Sequence, residues 1–240
     1  MIESTSTTRT SSGHRRRHRV RSGWRRFCAA WDIGLRLVLG MVLTGSIPFP
    51  AFANPQGGTV TDGTATIEHS GNRVDVYQAT DRAVIDWRSF SIAPGETTQF
   101  HQPSAGSIAL NRVTGADPSH IFGTLRANGR VFLVNPNGIM FGAGSRVDVS
   151  GLVATTSDIR NEDFMAGRME FSIPSLNPQA GVVNEGEISI GDAGYAALVA
   201  PHVRNSGVIN ARLGRVTLGA ADAFAIDLYG DDLVAFRVGV

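Results

Sequence analysis

No lysine occurs anywhere in these 240 residues, so all 22 basic side chains are arginine. There is a single cysteine, Cys28. One thiol cannot close an intrachain disulfide, so the fold must rest on packing and hydrogen bonds, with no crosslink to obstruct threading through a pore. Long apolar runs are absent too. The most apolar stretch, "LVLGMVLTGSI" from Leu37 to Ile47, is well short of the ~20 residues that span a bilayer.

That stretch has instructive neighbours. A basic segment, "HRRRHRVRSGWRR" (His14 to Arg26), precedes it, and "PFPAFA" follows, ending with Ala51 and Ala53 in small-x-small spacing. Basic region, short apolar region and small-residue site together describe an extended Sec signal peptide over residues 1–53, cleaved after Ala53. Cys28 lies before the apolar run rather than after it, which excludes a lipoprotein signal. Nine of the 22 basic residues and two of the 21 acids fall in this segment, leaving 13 basic against 19 acidic residues in 54–240. The mature part is therefore acidic, with no basic stripe for nucleic acid.

Short apolar segments rich in β-branched and aromatic residues recur through 54–240, bounded by Gly, Asn and Asp. "RVDVYQ" (Arg73 to Gln78), "SIALNRV" (Ser107 to Val113), "GRVFLV" (Gly129 to Val134) and "FAIDL" (Phe224 to Leu228) are examples; each reads as a strand. Helix is expected in two places: over Thr156 to Gly167, with Ser157 as its cap, and as a single turn over Asp117 to Gly123.

Many short strands suit a sandwich or barrel, but internal similarity favours another architecture. "GRVFLVNP" at Gly129, "GYAALVAP" at Gly194 and "GRVTLGAA" at Gly214 resemble one another, and "NEGEI" at Asn184 recurs as "NSGVI" at Asn205. The spacing is 20 to 21 residues, with Gly129 to Gly194 spanning about three such units. A period of this length, built from strands and Gly/Asn corners, indicates a solenoid whose units bury their apolar faces only by stacking. About nine coils at ~4.8 Å spacing would make a parallel β-helix about 40 Å long.

Within "GRVFLVNPNGIMFG", residues Asn135, Pro136, Asn137, Gly138 and Ile139 interrupt two apolar runs. Pro136 presets φ for the first turn position, Asn137-Gly138 supplies positive φ, and the Asn135 side chain bonds the backbone ahead of it. The result is a fixed turn, in a hairpin or at a coil corner.

"ALNRVTGADPSHIFGTLRANGRVFLVNPNGIMFGAG" (Ala109 to Gly144), with "AVIDWRSFSIAPGETTQFHQPS" before it and "TTSDIRNEDFMAGRMEF" after it, resembles the secretion domain of two-partner secretion exoproteins. That family includes filamentous haemagglutinins, high-molecular-weight adhesins and contact-dependent inhibition toxins. The resemblance extends through "APHVRNSGVINARLGRVTLGAADAFAIDLYGDDLVAF" (Ala200 to Phe236) and covers nearly all of 54–240. It implies an all-β, right-handed parallel β-helix with an N-terminal cap and a small extra-helical element. It also implies Sec export, recognition by the POTRA modules of an outer-membrane β-barrel transporter, no cofactor, and Asn135 to Ile139 as a secretion motif. An upstream "NPNL" element found in one branch is missing; "FHQPSAGS" (Phe100 to Ser107) stands in its place, as in the high-molecular-weight adhesin branch.

Two other functions compete. An adhesive β-helix binding glycans on host-cell surfaces would expose aromatics, for which Trp87 and Tyr77 are the candidates, although both also suit a core or cap. A polysaccharide-cleaving β-helix would need paired carboxylates. Asp75 and Asp148 sit in matching "RVDV" segments, and "GDDL" (Gly230 to Leu233) offers two adjacent acids. His69, His101, His120 and His202 are scattered, and no metal-ligand or nucleophile motif accompanies them. The chain is expected to be no enzyme.

Overall fold

The computed structural model describes residues 54–227 and 234–236. Two antiparallel strands, β1 (Thr59–Asp62) and β2 (Ala65–Ser70), precede the repeating part. Two partial coils follow, β3 (Arg73–Gln78) with β4 (Arg82–Trp87), and β5 (Thr97–His101) with β6 (Ile108–Val113). Then come two full coils of three strands: β7 (Ser119–Ile121), β8 (Thr124–Ala127) and β9 (Arg130–Val134), followed by β10 (Ile139–Phe141), β11 (Arg146–Val149) and β12 (Gly151–Thr155). The chain next leaves the stack for α1 (Asn161–Met165) and β13 (Glu170–Phe171). Two more coils follow: β14 (Gly181–Asn184), β15 (Glu187–Ile190) and β16 (Tyr195–Ala200), then β17 (His202–Asn205), β18 (Val208–Ala211) and β19 (Arg215–Ala220). β20 (Phe224–Ile226) and β21 (Val234–Phe236) come last.

Corresponding strands of successive coils form three sheets. The first runs β1-β4-β6-β9-β12-β16-β19, the second β18-β15-β11-β8-β5-β3-β2, and the third β17-β14-β10-β7. Every pairing along these sheets is parallel except β1 with β4 and β2 with β3. β1 and β2 thus cap the first coil with reversed strands, which ends the parallel ladder at that side. With this cap counted as a layer, the fold is a parallel β-helix of about seven turns. The expected nine coils are too many for two reasons: residues 59–70 serve as cap, and residues 156–180 make the excursion.

Stacking follows the repeats seen in the sequence. Asn184 and Asn205 are register partners, and the Asn184 side-chain amide donates to the Asn205 side-chain oxygen at 2.8 Å. Arg215 N donates to Gly194 O at 3.0 Å, and a Cβ on Gly214 would lie 2.4 Å from that carbonyl, so only glycine fits beneath the coil above. Gly129 and Gly194, however, lie two steps apart and not three: Arg130 pairs with Gly151, and β12 pairs directly with β16. The excursion fills the second step.

Between its end strands β1 and β19, the first sheet is buried on both faces, which explains why β4, β6, β9, β12 and β16 read as continuous apolar runs instead of alternating. Its inner row, Ala109, Val131, Leu152 and Ala196, belongs to the core inside the solenoid with Val74, Phe100, Ile121 and Val182. Its outer row, Leu110, Phe132, Val153 and Ala197, joins a second core under the excursion and the last strands. There Phe132 meets Phe164 of α1 and Phe171 of β13, each at 6.1 Å between ring centroids. Burying each such ring contributes about 1.5–3 kcal/mol.

Both helix expectations need correction. α1 begins at Asn161 after Arg160, with no side-chain cap. Ser157 points elsewhere: its hydroxyl donates to Asp222 O at 2.9 Å, tying the start of the excursion to the segment before β20. Asp117 to Gly123 contains no helical turn. It holds β7, because Ser119 and Ile121 must lie buried in parallel register with Ile139 and Phe141. Of the expected strands, Phe224 to Leu228 is seen over Phe224–Ile226, and Leu228 lies outside the described residues.

Candidate functional site: a corner held from both sides

Asn135 to Gly138 carries the chain from β9 of the first sheet to β10 of the third, so the segment is a coil corner and no hairpin. Gly138 N donates to Asn135 O at 3.0 Å, closing a four-residue turn, and Asn137 N donates to Asn135 Oδ1 at 2.9 Å. Only Gly138 among these has positive φ, at 112°. Asn137 does not adopt the left-handed conformation expected of it, which gives the turn a type I signature: Asn first, Pro second, Gly fourth.

The corner is fastened to the coil before it. The wholly buried Asn135 donates from Nδ2 to Asp117 O and to Ser119 Oγ, each at 3.0 Å. Asn137 Nδ2 donates to Gly115 O at 2.9 Å, and Ser119 N donates to Gly138 O at 2.9 Å. Ile139, also buried, pairs with Ser119 on one side and Val182 on the other.

On the side of the following coil, Ser175 Oγ donates to Pro136 O at 2.6 Å. A Cβ on Gly138 would lie 3.1 Å from Gly181 O, so the next coil sits against the turn itself. Register partners Ser119 and Ile139 are 20 residues apart, whereas Ile139 and Val182 are 43 apart. Doubling a loop costs about 0.6 kcal/mol in closure entropy, and one net hydrogen bond of about 1 kcal/mol offsets it. Between the corner and the returning excursion lies a cleft of about 580 Å³ whose lining includes Pro136, Asn137, Thr156, Ile173 and Leu176. Leu176 is 98% exposed at its rim.

"FHQPSAGS" is structural as well. Gln102 Nε2 reaches Gln78 Oε1 at 3.1 Å and Arg130 O at 3.2 Å, joining three coils. The Asn128 side chain exchanges two hydrogen bonds of 2.7 Å with the Gln102 backbone.

The competing candidates do not assemble. Asp75 and Asp148 share one column of the second sheet, but Gln99 and Arg126 stand between them in register, so they form no carboxylate pair. Asp75 is committed to Arg73 and His101, at 2.6 and 2.7 Å. The hydrogen bond from Arg73 holds its carboxyl down at about 2, with His101 contributing the same way against the opposing effect of burial. Burial lowers the His120 pKa, with Asp117 opposing. No three His, Cys, Asp or Glu side chains come together to hold a metal among the described residues. Trp87 is core, its Nε1 donating to Asn111 Oδ1 at 2.9 Å. Tyr77 is 44% exposed and stacks on His101 at 4.6 Å. Ala51, Ala53 and Gly230 to Leu233 lie outside the described residues.

A family model, the TPS (two-partner secretion) secretion domain, matches residues 51–234. The chain belongs to this family. It is 35% identical over 201 residues to a heme/hemopexin-binding protein of Haemophilus influenzae strain Rd, covering 81% of this chain and 22% of that protein. A second H. influenzae protein of the same name is 34% identical over 62% of this chain and 16% of its own length. The chain thus spans about a fifth of the curated relatives it matches. Among solved structures, the HMW1 secretion domain of H. influenzae superposes with a TM-score of 0.69 at 35% identity, over 77% of this chain and 48% of that one. The filamentous haemagglutinin secretion domain superposes with a TM-score of 0.52 at 19% identity, over 76% and 69%, a likeness of fold alone. TPS is a family of secretion domains and not of enzymes.

Proposed function

We propose that this TPS domain is the address segment of an exoprotein, exported through the Sec machinery with residues 1–53 as its signal and then recognised by the POTRA modules of its outer-membrane β-barrel transporter. The observation that carries the reading is the corner Asn135 to Ile139, fastened to the coils on both sides within a chain that matches the family over 184 of its residues. POTRA-type recognition suits such a chain before it folds: an extended segment adds as a strand, main-chain hydrogen bonds supply affinity, and alternate side chains supply selectivity. Folding then hides those strand edges within the ladder. The exoprotein served is of the adhesin or haemagglutinin kind, and any host-cell ligand is bound by that larger protein.

Co-expression with the cognate POTRA-bearing barrel, followed by assay of the medium, tests this. The wild-type chain appears outside the cell only with the barrel, beginning at Asn54 by N-terminal sequencing. Replacing Asn137-Gly138 by Val-Val removes most of the exported protein. Undiminished export of that variant would take the corner out of the mechanism, and export without any barrel would overturn the whole reading.

A further inference from the structure

The corner has a second copy that the sequence period hides. At Asn177-Pro178-Gln179-Ala180, just ahead of β14, Ala180 N donates to Asn177 O at 3.0 Å and Gln179 N donates to Asn177 Oδ1 at 3.1 Å. The same two bonds close Asn135-Pro136-Asn137-Gly138 ahead of β10. β10 and β14 are parallel neighbours in the third sheet, so the two turns lead into adjacent strands. One hydroxyl joins them: Ser175 Oγ donates to Pro136 O at 2.6 Å and accepts from Asn177 N at 3.0 Å.

We propose that Ser175 and Asn177 are positioning residues that set where the chain rejoins the solenoid after its excursion, with the Asn135 corner as their seat. After residues 156–180 have left the stack, no strand immediately before β14 fixes its register. Slipping one residue would turn Val182 out of the core and Val183 into it. The Ser175 bridge and the Asn177 turn hold the chain in the frame that pairs Ile139 with Val182, Met140 with Val183 and Phe141 with Asn184. β15 to β19 are then laid down from that start. The corner therefore acts through folding of the later coils, and this holds whether or not the transporter touches it.

The test is amide hydrogen exchange, resolved by segment, on the purified full chain without transporter. Ser175→Ala and Asn177→Ala should each raise exchange in β10 and β14 roughly tenfold, the scale of one lost hydrogen bond, while β3 to β6 stay unchanged. Ser175→Thr, which keeps the hydroxyl, should restore protection, and Leu176→Ala, at the exposed neighbour, should leave it intact. Unchanged exchange in S175A and N177A would overturn the proposal. So would loosening spread evenly over all coils, loss of folding throughout S175A, or an equal effect from L176A. Because the transporter is absent, these outcomes are independent of whether export fails.

Discussion

Phe171 and Phe224 stack face to face, ring centroids 4.6 Å apart and planes 4° from parallel, although 53 residues separate them. β13 and β20 pair antiparallel at these same positions. The stack joins the excursion to the segment after the last coil and closes the second core over Phe132. Truncating either ring leaves the other over a void. Phe171→Ala or Phe224→Ala should cost about 3–5 kcal/mol, measured as a lower denaturant midpoint. An unchanged midpoint would mean that this cover contributes nothing to stability.

Gly138 combines a φ of 112° with a carbonyl 3.1 Å from where a Cβ would go. Gly138→Ala meets strain in both respects and should destabilise the domain by more than about 1 kcal/mol. Asn137→Ala, which loses the side-chain bond to Gly115 O and a long one of 3.4 Å to Asn135 Oδ1, should cost only about 1 kcal/mol. Thermal unfolding of the two variants side by side checks the order.

Arg112 ties the excursion to the outer face of the first sheet. Its Nε reaches Asp158 Oδ2 at 2.7 Å, Nη1 reaches Asp86 at 3.0 Å, and Nη2 donates to Ile159 O at 2.7 Å. Burial alone would lower the guanidinium pKa, but Asp158 and Asp86 outweigh it and the value rises. Arg112→Met leaves two half-buried carboxylates unpaired and should cost about 3 kcal/mol. Adding Asp86→Asn and Asp158→Asn should recover part of that loss. A triple variant no better than R112M would show that packing, not charge, dominates there.

Asp75 contributes a pH dependence of defined sign. Its folded pKa is depressed from 3.8 to about 2 by Arg73 and His101, so the stabilisation is complete above pH 4 and is lost as pH falls towards 2. Both partners are more than a third exposed, which limits the effect to about 1 kcal/mol. Asp75→Asn should lose that amount near pH 6, and most of the difference from the wild type should be gone by pH 2. Equal differences at both pH values would refute the ion pair's role.

The middle strands of the first sheet were legible because burial on both faces writes unbroken apolar runs, and the repeat was legible because Asn184 stacks on Asn205. The Asn135 turn was readable from its own chemistry, except that Asn137 needs no positive φ once Gly138 supplies it. β7 was not readable. Asp117 to Gly123 is compatible with a helical turn until Asn135, on the next coil, claims Asp117 O and Ser119 Oγ. Ser157 looked like a cap because its real partner, Asp222 O, lies 65 residues away. Asn177-Pro178 did carry a signal, Asn-Pro before "GVVN", but a gap of about twice the period concealed its kinship with Asn135-Pro136.

A sheet with two oily sides has a consequence for any chain that emerges amino end first. Each coil can bury its inward residues on the one before, yet Leu110, Phe132 and Val153 stay wet until the excursion brings Phe164 and Phe171 over them, and that cover closes only when Phe224 stacks on Phe171. A half-delivered molecule therefore carries a sticky seam down its flank. Sealing that seam, more than adding any one coil, is the event that takes these rings out of water.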